Sequence, residues 1–446
     1  MSESYLVIGG EGFLGHTLVN ALLARYPTAT VSSLDLVQRH FPDPSSSASR
    51  KWTFYPADLT SLESLSDAIS KSGASTVFHT ASPWTGSGAE VCEKVNVQGT
   101  QTVVDACVQR GVKKLVFTSS AGTVYNGVDL INVDERMPFP KEELDPYNVT
   151  KAKAERIVLD ANGKNGLLTV ALRPAGIFGP GDRQALPGVM AVLKSGKTKF
   201  QVGSNENLFD WTYVDNVVHA HLIASERLSH VATADALEVR AVPIDLDVQR
   251  RELPTSQFRP ESLLAKEKEL DPTFENSSDK DHPLLAARNR FDQFYHLASY
   301  ARPPPTSDDD EKVESTEQDG GSSSDEADLR VAGQAFFVTN GSPVPFWDFP
   351  RAVWAAYNRH EPSYVVPLPA AVGLMFAGIG EVVAGWMGKT PNLTRGKVVY
   401  STVNRYYNIE RARRVLGYEP IVGLEEGIKR AVAWYKENEA SMAPKA

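Results

Sequence analysis

Apolar residues arrive along this chain in short segments of two alternating kinds. Tyr5-Leu-Val-Ile8 is a continuous apolar run that ends in glycines and reads as a buried strand. Leu14, Leu18, Ala21 and Leu22 then recur at the spacing of one helix face. The pattern repeats. Val31 to Asp35, Trp52 to Tyr55, Thr76 to His79 and Lys114 to Phe117 read as strands, with helical spacing over Leu62 to Ile69 and Val91 to Arg110 between them. Strand and helix units of about thirty residues predict an α/β fold with a doubly wound parallel sheet. A further helix begins at Asp145-Pro-Tyr147, and Phe209 to His221 reads as a short strand turning into a helix. The chain closes on a helix expected near Leu424 to Asn438.

The alternation breaks between about Leu228 and Arg330. Pro303-Pro-Pro305 leads there into a segment, Asp308 to Asp328, with ten acidic residues against the single Lys312. Such a composition is too polar to bury a core, and the stretch is expected to be a largely disordered insert. Leu284 to Tyr300 is more apolar, with Leu284, Leu285, Phe291, Phe294, Tyr295 and Leu297, and is a candidate helix. The bland reading is a solvated insert and the sharper one a partner-docking or phosphorylated element. This break gives the expected division: a dinucleotide domain over 1–227, with substrate-domain elements from about 180–208, the insert over 228–330, and a C-terminal substrate and membrane region over 331–446.

Charge changes the picture mainly by exclusion. The 446 residues carry a formal net charge of −9, and the acidic segment accounts for nearly all of it. No basic stripe of the kind that binds nucleic acid is present. The two cysteines, Cys92 and Cys107, fall fifteen residues apart in one predicted helix, about 22 Å along its axis, and cannot bridge there. A reducing compartment follows. The first strand starts almost at the N-terminus, without the basic flank and apolar core of a secretion signal, so the reading is an unprocessed start.

Chemistry enters at the first turn. Gly9-Gly-Glu-Gly12-Phe13-Leu14-Gly15 lies between a strand and a helix, the context in which a dinucleotide pyrophosphate meets a helix N-terminus. Gly9 supplies the turn, Gly12 lets a phosphate approach the main chain, and Gly15 lets helix pack on strand. Asp35 ends the second strand twenty positions beyond Gly15, where a carboxylate accepts the ribose hydroxyls and repels a 2′-phosphate. That favours NAD over NADP, with Arg39 and His40 as nearby counter-evidence. Asp58 and Leu59 are expected at the adenine end, and Thr80, Ala81 and Ser82 follow the fourth strand at its ligand-bearing edge. Tyr147 and Lys151 share one helix face; an ammonium about 4 Å from a phenol at an effective dielectric of about 20 would lower its pKa by roughly 3 units. Ser119 and Ser120 end the fifth strand, and spacing does not separate them. His219 and His221, two apart with no third ligand, are read as structural or surface histidines, and no metal is expected.

In this order, Gly9-x-x-Gly12-x-x-Gly15, Asp35, Asp58, Ser120, Tyr147-x-x-x-Lys151, Leu172-Arg-Pro174 and Ile177-Phe-Gly-Pro-Gly181 resemble the extended short-chain dehydrogenase/reductases over roughly the first 220 residues. Asp215-Asn-Val-Val-His-Ala-His221 and Ala332 to Asn340, with Pro345-Phe-Trp347-Asp-Phe349, resemble the 3β-hydroxysteroid dehydrogenase branch. The resemblance implies that Ser120 polarises the substrate oxygen, Tyr147 exchanges the proton, and Lys151 holds the nicotinamide ribose and acidifies Tyr147. It places Ser119 and Pro174 against the cofactor and implies NAD-dependent oxidation of the 3β-hydroxyl of a 4α-carboxysterol, with loss of carbon dioxide, in sterol biosynthesis. The expected setting is the cytosolic face of the endoplasmic reticulum membrane, alongside other enzymes of sterol C-4 demethylation.

Val365 to Gly388 contains a single charge, Glu381, but its longest uncharged run is Val365 to Gly380 with Pro367 and Pro369 inside it, shorter than a spanning helix. A core helix, the wall of an apolar pocket and a segment dipping into one leaflet all fit. Trp386 and Lys389 at its end suit an interface, which favours peripheral or monotopic contact. The constellation itself also serves nucleotide-sugar epimerases and other reductases, and a non-catalytic NAD-binding scaffold is a third reading. Oligomeric state and the particular sterol are not legible.

Overall fold

In the computed structural model, residues 3–40, 52–141, 145–232, 329–387 and 393–442 are described. The acidic run and the apolar stretch Leu284 to Tyr300 lie outside them.

Fifteen strands occur among the described residues: β1 Ser4–Ile8, β2 Thr30–Asp35, β3 Trp52–Pro56, β4 Thr76–His79, β5 Lys114–Thr118, β6 Leu130–Val133, β7 Leu168–Pro174, β8 Gly176–Phe178, β9 Phe200–Val202, β10 Leu208–Phe209, β11 Trp211–Tyr213, β12 Gln334–Val338, β13 Val344–Pro345, β14 Val366–Leu368 and β15 Arg405–Tyr407. Seven of them form one sheet in the order β12-β7-β5-β4-β1-β2-β3, every pair parallel. Strand order reverses between β1 and β4, which is where open parallel sheets hold their ligands. The outermost strand, β12, comes from beyond the insert, so the C-terminal stretch completes the sheet. A four-stranded sheet, β13-β10-β15-β6, stands apart from it.

The helices cover both faces. On the β1 side, α1 (Phe13–Arg25) buries Leu14, Leu18 and Leu22. Next, α2 (Leu62–Ser72) starts on Ser61, whose side chain accepts from the Ser64 amide, and ends on the left-handed Gly73. The long helix expected over Val91 to Arg110 is in three parts: α3 (Ala89–Cys92), a π-helical turn over Glu93–Gln98, and α4 (Gly99–Arg110). Gly99 at the join lies against Leu59, where a Cβ would come within 1.8 Å of Leu59 Cδ1 and the leucine would have to turn away. Cys92 and Cys107 are both free and buried. Further on, α5 (Pro146–Leu159) carries Tyr147 and Lys151; Asp145 caps it by accepting from the Tyr147 and Asn148 amides, with Pro146 in the first turn.

After Leu368 the chain forms a helix over Ala370–Trp386 whose buried residues are Gly373, Ala377 and Ala384. Its large apolar side chains face outward: Phe376, Ile379 and Val382 are more than half exposed and Trp386 is 87% exposed. Small residues against the body and large ones toward solvent reverse the usual amphipathic arrangement. Among the described residues no helix is long and apolar enough to cross a membrane.

Candidate active site

The glycine turn is built as tightly as its sequence requires. Gly9 has φ +82°, and a Cβ on Gly15 would lie 2.1 Å from Gly9 O. Gly9 also abuts the end of β4, since its Cβ would come within 2.6 Å of the Ala81 amide. The Thr80 amide and hydroxyl both donate to Ile8 O at 2.9 Å. The turn and Thr80-Ala81 are therefore one packed unit at the strand-order reversal. Gly12 stands at the N-cap of α1 with no side chain to occupy the first-turn amides, while Phe13 and Leu14 begin the helix. These features fit a pyrophosphate at the helix N-terminus. Asp35 is half-buried; its carboxylate accepts from the Leu36 amide at 2.8 Å and the Glu11 amide at 3.3 Å. Glu11 itself is buried and accepts from the Arg39 and His40 amides, both at 2.7 Å, so those two residues are held here by their backbones. Asp58 is exposed, its carboxylate accepting from the Thr60 amide and hydroxyl, which hold its pKa down.

The two serines part company. Ser119 is buried and its hydroxyl donates to Glu155 at 2.5 Å. Glu155 in turn pairs with Arg173 at 2.6 Å, both side chains almost wholly buried. Ser120 sits one residue on, half-buried, capping the short helix Ala121–Val124 by accepting from the Gly122 amide at 3.1 Å. Gly122 abuts the first turn of α5, where its Cβ would meet Asn148 Oδ1 at 2.1 Å. The turn bearing Ser120 and the helix bearing Tyr147 are thus in contact.

Lys151 is buried, donates to Thr118 O at 2.8 Å, and lies 4.8 Å from the centre of the Phe117 ring. Burial pulls its pKa down to about 7, with Glu155 opposing. The Tyr147 phenol is moved the other way from the expectation. Burial raises its pKa, a hydrogen bond with Ser82 opposes this, and Asp145 adds to the rise. Lys151 is not among the groups that move it. Sharing a helix face did not bring the ammonium to the phenol; it turns instead into the carbonyl edge of β5.

Ser82 belongs to a chain of side chains that sequence reasoning did not connect. Its hydroxyl donates to Asn96 Oδ1 at 3.1 Å, and Asn96 Nδ2 donates to Thr150 Oγ1 at 3.0 Å. Asn96 lies in the π-helical turn, which no periodicity announces. Glu155 carried a signal, since it stands one turn beyond Lys151. His79 bonds Thr100 Oγ1 through Nε2 at 3.0 Å, while its buried Nδ1 has no partner; burial and then Lys151 drive its pKa down to about 3. His221 is buried between Thr118 Oγ1 and Val217 O, both at 2.7 Å. Pro174 ends β7 beside Ala175, whose amide donates to Val338 O.

A glycine turn at the switch point, an acidic residue ending β2, and serine, tyrosine and lysine at the β5–α5 edge define a nucleotide-dependent oxidoreductase of the extended short-chain dehydrogenase/reductase class. Solved structures agree on the fold: UDP-glucose 4-epimerase from Thermotoga maritima covers 98% of this chain and 99% of its own at TM-score 0.56 and 17% identity. MoeE5, in complex with UDP-glucuronic acid and NAD, does so at TM-score 0.54 and 21% identity, with the same coverage. The family profile described as the 3-beta hydroxysteroid dehydrogenase/isomerase family matches residues 6–241, and the chain belongs to that family. Its relatives include sterol-4-alpha-carboxylate 3-dehydrogenase, decarboxylating, of Saccharomyces cerevisiae, 34% identical over 98% of both chains. The Candida albicans protein of that name is 35% identical over 98% of both, and the human one 29% identical over 96% of this chain and 87% of its own.

Proposed function

We propose that this protein oxidises the 3β-hydroxyl of a 4α-carboxysterol to the 3-ketone with NAD, and that the product loses its C-4 carboxylate as carbon dioxide. The observation that carries the reading is the joined edge at the end of β5: Ser120 on its turn, Tyr147 on the abutting helix, and Lys151 beneath them, next to the glycine turn. NAD would supply the hydride acceptor for the C-3 hydrogen. Gly9, Gly12, Phe13, Leu14 and Gly15 would hold its pyrophosphate, Asp35 its adenosine ribose, and Asp58 and Leu59 would flank the adenine. Thr80, Ala81, Ser82, Ser119 and Pro174 would line the remainder, with Lys151 turned to the nicotinamide ribose.

Ser120 donates to the substrate oxygen while Tyr147 takes the hydroxyl proton. Because burial holds that proton on the phenol, the pH at which Tyr147 works is set once substrate and cofactor surround it. Tyr147 bonds to Ser82, whose hydroxyl donates to Asn96, so this chain of side chains holds the phenol in place for the exchange. The oxidised product is a β-keto acid. Its carbon–carboxylate bond breaks with the electron pair passing into the new carbonyl, carbon dioxide departs, and a proton returns to C-4.

The division of labour follows. Residues 1–227 together with β12 hold the dinucleotide, and the rest of the C-terminal stretch covers the sterol. The outward apolar face of Ala370–Trp386 docks on the cytosolic leaflet of the endoplasmic reticulum membrane, where a sterol acid partitions. The decisive experiment supplies 4α-carboxysterol and NAD to the purified protein and follows NADH and carbon dioxide together. Tyr147→Phe should retain NAD binding and lose at least about a hundredfold in rate. A variant keeping more than about a tenth of the wild-type rate removes the assignment.

A further inference from the structure

A second enclosed cation stands outside the set just described. Arg405 opens β15, which joins the four-stranded sheet between β10, through Phe209, and β6, through Leu130. Its guanidinium lies 4.3 Å from the centre of the Tyr125 ring, 5.1 Å from Tyr400 and 5.9 Å from Phe209. The groups that act on it most strongly are the phenols of Tyr407, Tyr400 and Tyr125, with a hydrogen bond to Tyr407, and no carboxylate is among them. Arg173 and Arg413, by contrast, are paired with Glu155 and Glu410.

Unmet hydrogen-bonding capacity gathers in the same place. Arg405 Nε, Tyr125 Oη and Trp211 Nε1 are closed off from solvent and have no hydrogen-bond partner. Trp211 belongs to the cluster through Phe209, the two rings being 4.9 Å apart. Buried polar groups are nearly always satisfied, so three in one aromatic cluster mark a missing partner. All three can donate, and two can only donate. What completes them is an acceptor; the Asp210 carboxylate nearby accepts from the Tyr407 amide, and beside a guanidinium ringed by phenols the acceptor that fits is an anion.

The cluster adjoins the reacting edge from two directions. Tyr125 directly follows the short helix that Ser120 caps. Gly176, two residues past Pro174, faces Phe209 and Trp211, its Cβ falling 3.3 and 3.4 Å from their rings.

We infer that Arg405, with the Tyr125 hydroxyl, is the subsite for the C-4 carboxylate of the substrate. This rests on the activity proposed above. A planar carboxylate matches the guanidinium fork, and the surrounding rings suit the rigid apolar body that bears it. The group that this cation holds is the one the reaction removes, so the ketone product lacks the anchor that positioned the acid.

The test compares kcat/KM for a 4α-carboxysterol with that for the same sterol bearing a methyl group in place of the carboxylate. Arg405→Met should reduce the acid-to-methyl preference by about a hundredfold, the scale for removing one partner of a buried charge pair. Arg405→Lys keeps the charge without the fork and should reduce it by about tenfold, chiefly through KM. Tyr125→Phe removes a hydroxyl without a partner in the free protein, leaves folding intact, and should reduce the preference several-fold. These two variants carry the test if Arg405→Met fails to fold. A preference unchanged in both, while the wild type oxidises the acid, overturns the subsite alone. A wild type that oxidises neither sterol overturns the activity and the subsite together.

Discussion

Replacing Lys151 by Met separates what the ammonium costs the fold from what it does for the reaction. This lysine is 1% exposed and burial pulls its pKa from 10.5 to about 7. Between those two values the unfolded chain keeps a proton that the folded site releases, so this group makes stability rise with pH across the window from about 7 to 10.5. Relative to a neutral side chain, the cost is about 4 kcal/mol at pH 7, about 2 at pH 9 and under about 1 at pH 10. The hydrogen bond to Thr118 O and the contact with Phe117 offset part of it in absolute terms, but not its pH dependence. Urea unfolding of wild type and Lys151→Met without NAD, at pH 7, 8, 9 and 10, should show the difference in unfolding free energy changing by about 3 kcal/mol in the wild type's favour as pH rises. Other titrating groups cancel in that difference. A gap that stays constant within about 1 kcal/mol would refute the buried-ammonium argument.

The serines should divide along the lines of their contacts. Ser119→Ala leaves the buried Glu155 short of a hydrogen bond and should destabilise the protein by about 1–3 kcal/mol in thermal melts, with a modest loss of rate. Ser120→Ala should cost about a hundredfold in kcat at nearly wild-type stability, and the opposite pattern would exchange their roles. On the apolar helix, Phe376→Glu with Trp386→Glu removes two exposed side chains, each contributing about 1.5–3 kcal/mol when buried in the acyl boundary. Sedimentation with liposomes should fall by at least about a hundredfold in partitioning while the melting temperature holds; unchanged pelleting excludes this face as the contact.

What could be read in the chain was whatever is local. Gly9, Gly12 and Gly15 carry their own explanation within seven residues, and the recurring strand and helix segments fix the parallel sheet. Helical spacing put Tyr147 and Lys151 on one face, but the depth of burial that raises the one and lowers the other depends on β5 and Ser82, which spacing does not contain. Ser119 and Ser120 became distinct only once Glu155 and Arg173 were placed around the first. Arg405 was invisible as chemistry because Tyr125 and Phe209 lie roughly 280 and 200 positions away. Ala332 to Asn340 was matched by likeness alone, and that it holds the strand Gln334–Val338 was not legible, since the insert interrupts the alternation that would have announced it.

That last strand has a consequence for how the protein is made. Its partner, β7, ends at Pro174, and β12 begins only at Gln334. At about 5–20 residues per second a ribosome needs on the order of ten to thirty seconds to cover that interval, during which the β7 edge stays open to other strands. Arg173, the partner of Glu155, has one ring against its guanidinium from Phe139 and another from Phe337 of the late strand. The support beneath Ser119 is therefore finished only after the insert has been synthesised. A nascent chain stopped before residue 334 would carry the whole glycine turn and the Tyr147 helix, yet lack the strand that closes the β7 edge, and would be a client for chaperones.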